Sequence, residues 1–324
     1  MAWNAQRLPW AKSKAAERRA RGRQARREEW EFYLFISPWI IGFLFLTAGP
    51  MLLSLLVSFT EWDVVTPAKW VGLENYKRLW RDLWQPSRLV LFQQSLKVTA
   101  LYALLEVPLR LLVNLFGAIL LNQKLRGIRL FRTMLYSPTV VPAVASAMVW
   151  VWIMLPHGGL LSLILNTFGL PDQRLLFDQR TALITIILMG LWGFGTGMLI
   201  FLAGLQSIPQ HLYEAAEIDG ASVWARFRHI TLPMLSPVIF FNLVTSVMGN
   251  FQAFDPAFLI TEGGPNYATH FYVLNLYNFG FRYLKMGLAT AMAWVLFFII
   301  MFFTLFIVRS SAAWVYYEGE VRGR

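Results

Sequence analysis

Within residues 214–237 (EAAEIDGASVWARFRHITLPMLSP), the carboxylate of Glu214 is followed by two small side chains, Ala215 and Ala216. Asp219 and Gly220 come next, then Phe227, Ile230, Leu232 and Pro233. Small residues allow another surface to approach closely, and a carboxylate beside them can make a charge-assisted hydrogen bond to a basic group. The chemistry is recognition, not bond breaking. A second set consists of Asn242, Ser246, Gly249 and Asn250, which share about 100° of a helix with 3.6 residues per turn. Gln252 borders that stripe and Asp255 lies further along. Amides and carboxylates near aromatic faces suit a hydroxyl-rich ligand, and the same residue types also hydrogen-bond membrane helices to one another. Glu106 and Arg110, four apart, fit either an ion pair facing neighbouring helices or a relay.

Catalytic arrangements are missing from the sequence. There is no H-E-x-x-H, no G-x-S-x-G and no cysteine, so the convergent acid, base, nucleophile or metal cluster of an enzyme is not expected. His157 and His229 have no companions at metal-ligand spacing, and no metal site is expected. Gly193, Gly195 and Gly197 read as close helix packing or a local break; G-x-G-x-x-G is absent and no strand precedes them.

These residues must be positioned in a membrane. Of 324 residues, 57% are hydrophobic and 16% aromatic, which exceeds what one soluble core can bury. Six segments reach the roughly 20 apolar residues that a helical span needs, near 32–60, 92–121, 132–155, 181–206, 234–261 and 288–308. Helices are expected because open strands leave backbone groups unpaired in lipid, and the alternation of a barrel is absent. The fold class is therefore all-α: a polytopic six-helix membrane domain over 32–309, after a basic tail (1–31) and before a C-terminal tail (310–324).

With both termini inside, 18 of the 29 Lys and Arg residues fall on the inner side and nine in outer loops. That bias supports cytoplasmic termini. The net charge of +11 is thus membrane topology; it is not arrayed on one face as nucleic-acid binding requires. The run from Arg7 to Arg27 is read as a positive-inside tail, with anionic lipid as an alternative partner and no cleavable signal peptide. The stretch 61–91 is polar and aromatic and suits a short interfacial helix.

Local signals shape the segment 207–233. Ser207 and Gln210 form a capping-box pattern with Pro209 in the first turn. A helix carrying Leu212, Ala215 and Ala216 on one face ends at Gly220, which can turn with positive φ, and a second helix starts near Ser222. Trp224 and Phe227 share a face of that second helix, and Pro233 and Pro237 are expected to close it.

Glu214-Ala215-Ala216, Gly220, Ile230, Leu232 and Pro233 resemble the EAA loop of permease subunits in binding-protein-dependent ABC importers. Agreement at these seven positions arises from composition alone at on the order of one in 10⁸. The stretches FISPWIIGFLFLTAGPMLLSLLVSFTEWD, LLNQKLRGIRLFRTMLYSPTVVPAVASAMVWVWIM and LITEGGPNYATHFYVLNLYNFGFRYLKMGLATAMAWVLFF extend the resemblance over roughly 32–309. They are similar to the carbohydrate-uptake group of the maltose and glycerol-3-phosphate type. The resemblance implies a type I permease fold, a second permease as heterodimer partner, two ABC ATPases that bind ATP and Mg²⁺, and an extracytoplasmic solute-binding protein. It implies that Glu214, Ala215, Ala216, Asp219, Gly220, Phe227, Ile230, Leu232 and Pro233 couple to the ATPase. It places the chain in a prokaryotic plasma membrane, with no cofactor of its own and a sugar as solute. Glycerol-3-phosphate or a glycerophosphodiester stays open as solute. Unlike the maltose example, the sequence has no long outer insertion and no additional N-terminal spans. A gradient-driven transporter is disfavoured, because no pair of related halves is visible.

Overall fold

The computed structural model describes residues 28–85, 91–123 and 126–316. The basic tail over 1–27 and the last residues of the C-terminal tail lie outside them. The chain divides into two units, one ending at Val57 and one beginning at Ser58. The described part of the first is almost all of a single apolar helix, α1 (Glu28–Ser58). A π turn over Leu44–Ala48 interrupts its ladder just before Pro50, where the missing N–H and the ring crowd a regular helix.

The second unit begins with a hairpin of two-residue strands, β1 (Thr60–Glu61) antiparallel to β2 (Lys69–Trp70), the only strands among the described residues. A short helix, as expected within 61–91, follows as α2 (Glu74–Trp84). It buries Leu79 and Asp82, and the Asp82 carboxylate accepts N–H groups of Phe92 (2.8 Å) and Gln93 (3.2 Å). A carboxylate from another helix thereby caps α3 (Phe92–Leu121), where free donors and the dipole favour negative charge.

α3 is central to the bundle. The helices that follow are α4 (Ile128–Tyr136), α5 (Ala143–Ile153), α6 (Leu160–Thr167), α7 (Ala182–Leu191), α8 (Gly195–Ser207), α9 (Gln210–Ile218), α10 (Val223–Phe251), α11 (Tyr272–Tyr277) and α12 (Met286–Ser311), of which α4, α7, α8, α10 and α11 pack directly on α3. Glycines set the close approaches: a Cβ at Gly197 would fall 2.1 Å from Asn114 Nδ2, and one at Gly204 2.7 Å from Val238. Without a hydrophobic drive between helices in lipid, small residues of this kind permit tight packing.

Four helices span singly: α1, α3, α10 and α12. The expected third and fourth spans are bent pairs, at 97° between the helix ending at Val140 and α5, and at 48° between α7 and α8. Pro142 explains the first. It disfavours helix at the preceding residue, and Val141 is extended (φ −72°, ψ 129°). The glycines from 193 to 197 serve both expected roles, with a break before Gly195 and close packing after it.

Three local expectations are corrected. Ser207 makes no capping box; its hydroxyl donates to Gly204 O (2.8 Å), and Gln210 Nε2 donates to Glu214 Oε1 (2.8 Å). Pro233 and Pro237 do not close a helix, since α10 runs unbroken through both. A π turn over Phe227–Thr231 precedes Pro233. At Pro237 the missing donor is replaced by the Ser236 hydroxyl, which bonds Pro233 O at 2.6 Å. The fifth span ends at Phe251 rather than 261; three non-helical residues follow before a further π turn over Ala257–Thr261.

Past α12 the chain turns back. Tyr316 N–H donates to Ser236 Oγ (2.8 Å), Val315 is buried and the Trp314 ring meets Phe240 edge-on.

Candidate functional site

The loop over 207–233 is a helix-turn-helix whose turn is defined atom by atom. Gly220 has φ +76°. Its N–H bonds Glu217 O (3.0 Å), and Ala221 N–H reaches back to Ala216 O (2.8 Å). This is a Schellman closure, for which glycine is suited because it lacks a Cβ. Ser222 then caps the second helix, its Oγ accepting Ala225 N–H at 3.2 Å. Arg226 pairs with Glu217 (3.0 Å), and Tyr213 meets Thr231 hydroxyl to hydroxyl (2.9 Å), so both helices are fastened together.

The loop divides its residues between anchoring and display. Leu212, Tyr213 and Ile230 pack against the core formed by Phe201, Leu205 and Leu235. Leu232 and Pro233 are half-buried in the continuous helix leading into the membrane. Glu214, Ala215, Asp219 and Gly220 are exposed, and Ala216 is half-buried. On the face that Leu212 shares with Ala215 and Ala216, Leu212 and Ala216 are half-buried and Ala215, at its edge, is exposed. At the tip, Ile218 is 87% exposed, Val223 75% and Trp224 66%, and the Trp224 ring stacks on Phe227. Such an apolar tip around a carboxylate is unusual on a surface facing only water.

The polar stripe of α10 opens onto a cavity of about 390 Å³. Asn242, Ser246, Gly249 and Asn250 line it together with Tyr102, Arg110 and Asn114 of α3 and Thr196 of α8. Gln252 does not; it lies in a separate apolar groove between α10 and α12. Asp255 lies beyond the end of α10, exposed, and lines neither. Behind the cavity, Glu106 is fully buried and bonded to Arg110, while Asn250 Nδ2 donates to its other oxygen. Arg110 also donates to Gly190 O (3.2 Å), so one carboxylate ties α3, α7 and α10 together. The ion-pair reading of Glu106 and Arg110 is the one observed. Tyr102, Asn114, Thr196 and Thr245 complete the lining and were not singled out from sequence; for Asn114 the usable signal was a polar residue in the middle of an apolar span.

Four helices and two bent pairs long and apolar enough to cross a membrane, with a structured loop between the fourth and fifth of these segments, define a multi-pass membrane protein. Residues 111–313 match the family described as "binding-protein-dependent transport system inner membrane component", and the chain belongs to that family. The probable ABC transporter permease protein YesP of Bacillus subtilis is 43% identical over 310 residues, covering 94% of this chain and 98% of the relative. The trehalose/maltose transport system permease protein MalF of Thermococcus litoralis is 32% identical over 280 residues, covering 84% and 90%. The lactose transport system permease protein LacF of Rhizobium radiobacter is 35% identical over 259 residues, covering 78% and 84%. The fold is similar to a chain of a bacterial alginate ABC transporter solved with a pentasaccharide-bound periplasmic protein (TM-score 0.79, 22% identity, 89% and 96% covered).

Proposed function

We propose that this chain is one of two permeases in an ATP-driven importer, carrying a sugar or short oligosaccharide delivered by an extracytoplasmic binding protein. Maltose, trehalose and lactose systems name its relatives, and the cavity chemistry fits a hydroxyl-rich solute. Its lining offers Asn242, Ser246, Asn250, Thr196 and Tyr102 as hydrogen-bonding groups. Arg110 is the one basic side chain there, and Glu106 already holds it; Lys97 lies elsewhere. This favours a neutral sugar over glycerol-3-phosphate or a glycerophosphodiester.

The loop over 207–233 is the coupling element. Its exposed tip, with Glu214, Ala215, Asp219 and Gly220, docks in a groove of one of two ABC ATPases, which bind the ATP and Mg²⁺. Phe227, Ile230, Leu232 and Pro233 fix the second helix of the loop to the fifth span. The observation that carries this reading is the continuity of α10, 29 residues from the loop tip to the cavity lining. At 1.5 Å per residue it is a rod about 43 Å long, so a displacement at the tip is delivered to Asn250. Both termini lie in the cytoplasm in this reading.

The test is purification of the chain, tagged at its N-terminus, from native membranes in mild detergent, with mass spectrometry of what is retained. An ATPase and a second six-span permease are expected. Recovery of the chain alone or as a homodimer after crosslinking overturns the importer reading.

A further inference from the structure

At the Met286 end of α12 lies a second polar cavity, also about 390 Å³. Its lining includes Lys69, Arg78 and Lys285 as cations and Glu61 and Asp63 as carboxylates. Charges of both signs around one cavity ordinarily neutralise one another. Here, among the described residues, none of the five forms an ion pair. Asp63 is kept ionised by Thr66, whose hydroxyl and N–H both donate to it at 2.7 Å and hold it below the usual carboxylate range. The wall is equally fixed: Asn75 Nδ2 bonds Ser58 O and Thr60 O, and Gly287 is pressed against the Thr60 carbonyl, where a Cβ would come within 1.8 Å. Five exposed charges, Asp63 fixed by Thr66, thus surround a space whose wall is preformed.

The cavity's depth identifies its medium. Gly287 and Leu288, the first turn of an apolar membrane helix, form its inner wall. The cavity therefore sits level with the surface of the bilayer. Around it the hairpin and α2 display Trp70 (67% exposed), Trp80 (63%) and Trp84 (70%). Indole rings with an apolar body and one N–H donor prefer the headgroup layer.

We propose that this cavity is a phospholipid headgroup site. Lys69, Arg78 and Lys285 take the phosphate through charge-assisted hydrogen bonds, and Glu61 and Asp63 take the ammonium of an ethanolamine headgroup. A free phosphate satisfies only the cationic half. A ligand carrying both charges at headgroup spacing satisfies both halves.

The experiment is native mass spectrometry of the purified full-length chain titrated with dioctanoyl phosphatidylethanolamine, dioctanoyl phosphatidylglycerol or inorganic phosphate. Arg78→Ala with Lys285→Ala is expected to weaken both lipids by about tenfold or more. Glu61→Gln with Asp63→Asn is expected to weaken the ethanolamine lipid and spare the glycerol lipid. Binding of both lipids unchanged in both variants overturns the proposal. So does full displacement of lipid by inorganic phosphate, which marks a small-anion site. A photoreactive-headgroup ethanolamine lipid on the unaltered protein gives a reading independent of variant folding. Labelling within 61–78 and 285–288 supports the site, and labelling only elsewhere removes it. Crosslinking of Lys69 to a soluble binding protein in place of lipid also overturns it.

Discussion

The loop over 207–233 and the cavity around Asn250 are held together by opposite means. In the loop the defining contacts are local: Ala221 to Ala216, Ala225 to Ser222, Arg226 to Glu217 and Tyr213 to Thr231, the last only 18 residues apart. The cavity depends on contacts between distant residues, with Asn250 and Glu106 separated by 144 positions and Arg110 and Gly190 by 80. A loop built locally keeps its shape with its apolar tip uncovered. A cavity built from distant helices exists only in the assembled bundle, and its polar groups must satisfy one another there.

Changes at the cavity should therefore damage the fold, and changes at the loop should damage work. The largest effect is expected at Glu106. Glu106→Ala leaves Arg110 without its counter-ion and Asn250 Nδ2 without its acceptor, and losing one partner of a buried pair costs about 3–5 kcal/mol. Thermal unfolding in detergent should show a large fall, and Glu106→Leu with Arg110→Met should recover much of it. Equal stability of Glu106→Ala and the parent would break the comparison.

Gly197→Ala comes next. Its Cβ collides with Asn114, so overpacking of about 1–3 kcal/mol is expected. Asn114→Ala in the same chain makes room, and the double variant should be more stable than Gly197→Ala alone. At the loop, Gly220→Ala forces a left-handed alanine at about 1–2 kcal/mol, a modest stability change, while solute uptake should fall steeply. Normal uptake at parental expression would separate the turn from coupling. The smallest effect is Ser222→Ala, which removes one cap at about 1 kcal/mol. Hydrogen exchange should quicken over 223–226 and stay unchanged around Asn250.

The same division governs what the sequence could disclose. Gly220, Ser222 and the Trp224–Phe227 face were legible because each acts within one turn of chain. The stripe from Asn242 to Asn250 was legible because helical spacing alone puts those residues together. Asn114 and Tyr102 joined them only through the packing of α3 on α8 and α10. Prolines misled in both directions, because their effect depends on what supplies the missing donor. Ser236 supplies a hydroxyl beside Pro237 and the helix continues, whereas at Pro142 the chain bends by 97°. The Ser207–Gln210 pattern failed because each side chain found a nearer partner within its own helix.

The bond from Tyr316 to Ser236 bears on how the protein is handled. It reaches the point where the loop helix passes into its apolar stretch. A fluorescent protein or affinity handle inserted directly after Tyr316 is therefore tethered beside that junction. Its drag would register as an uptake defect belonging to the label and not to the transporter.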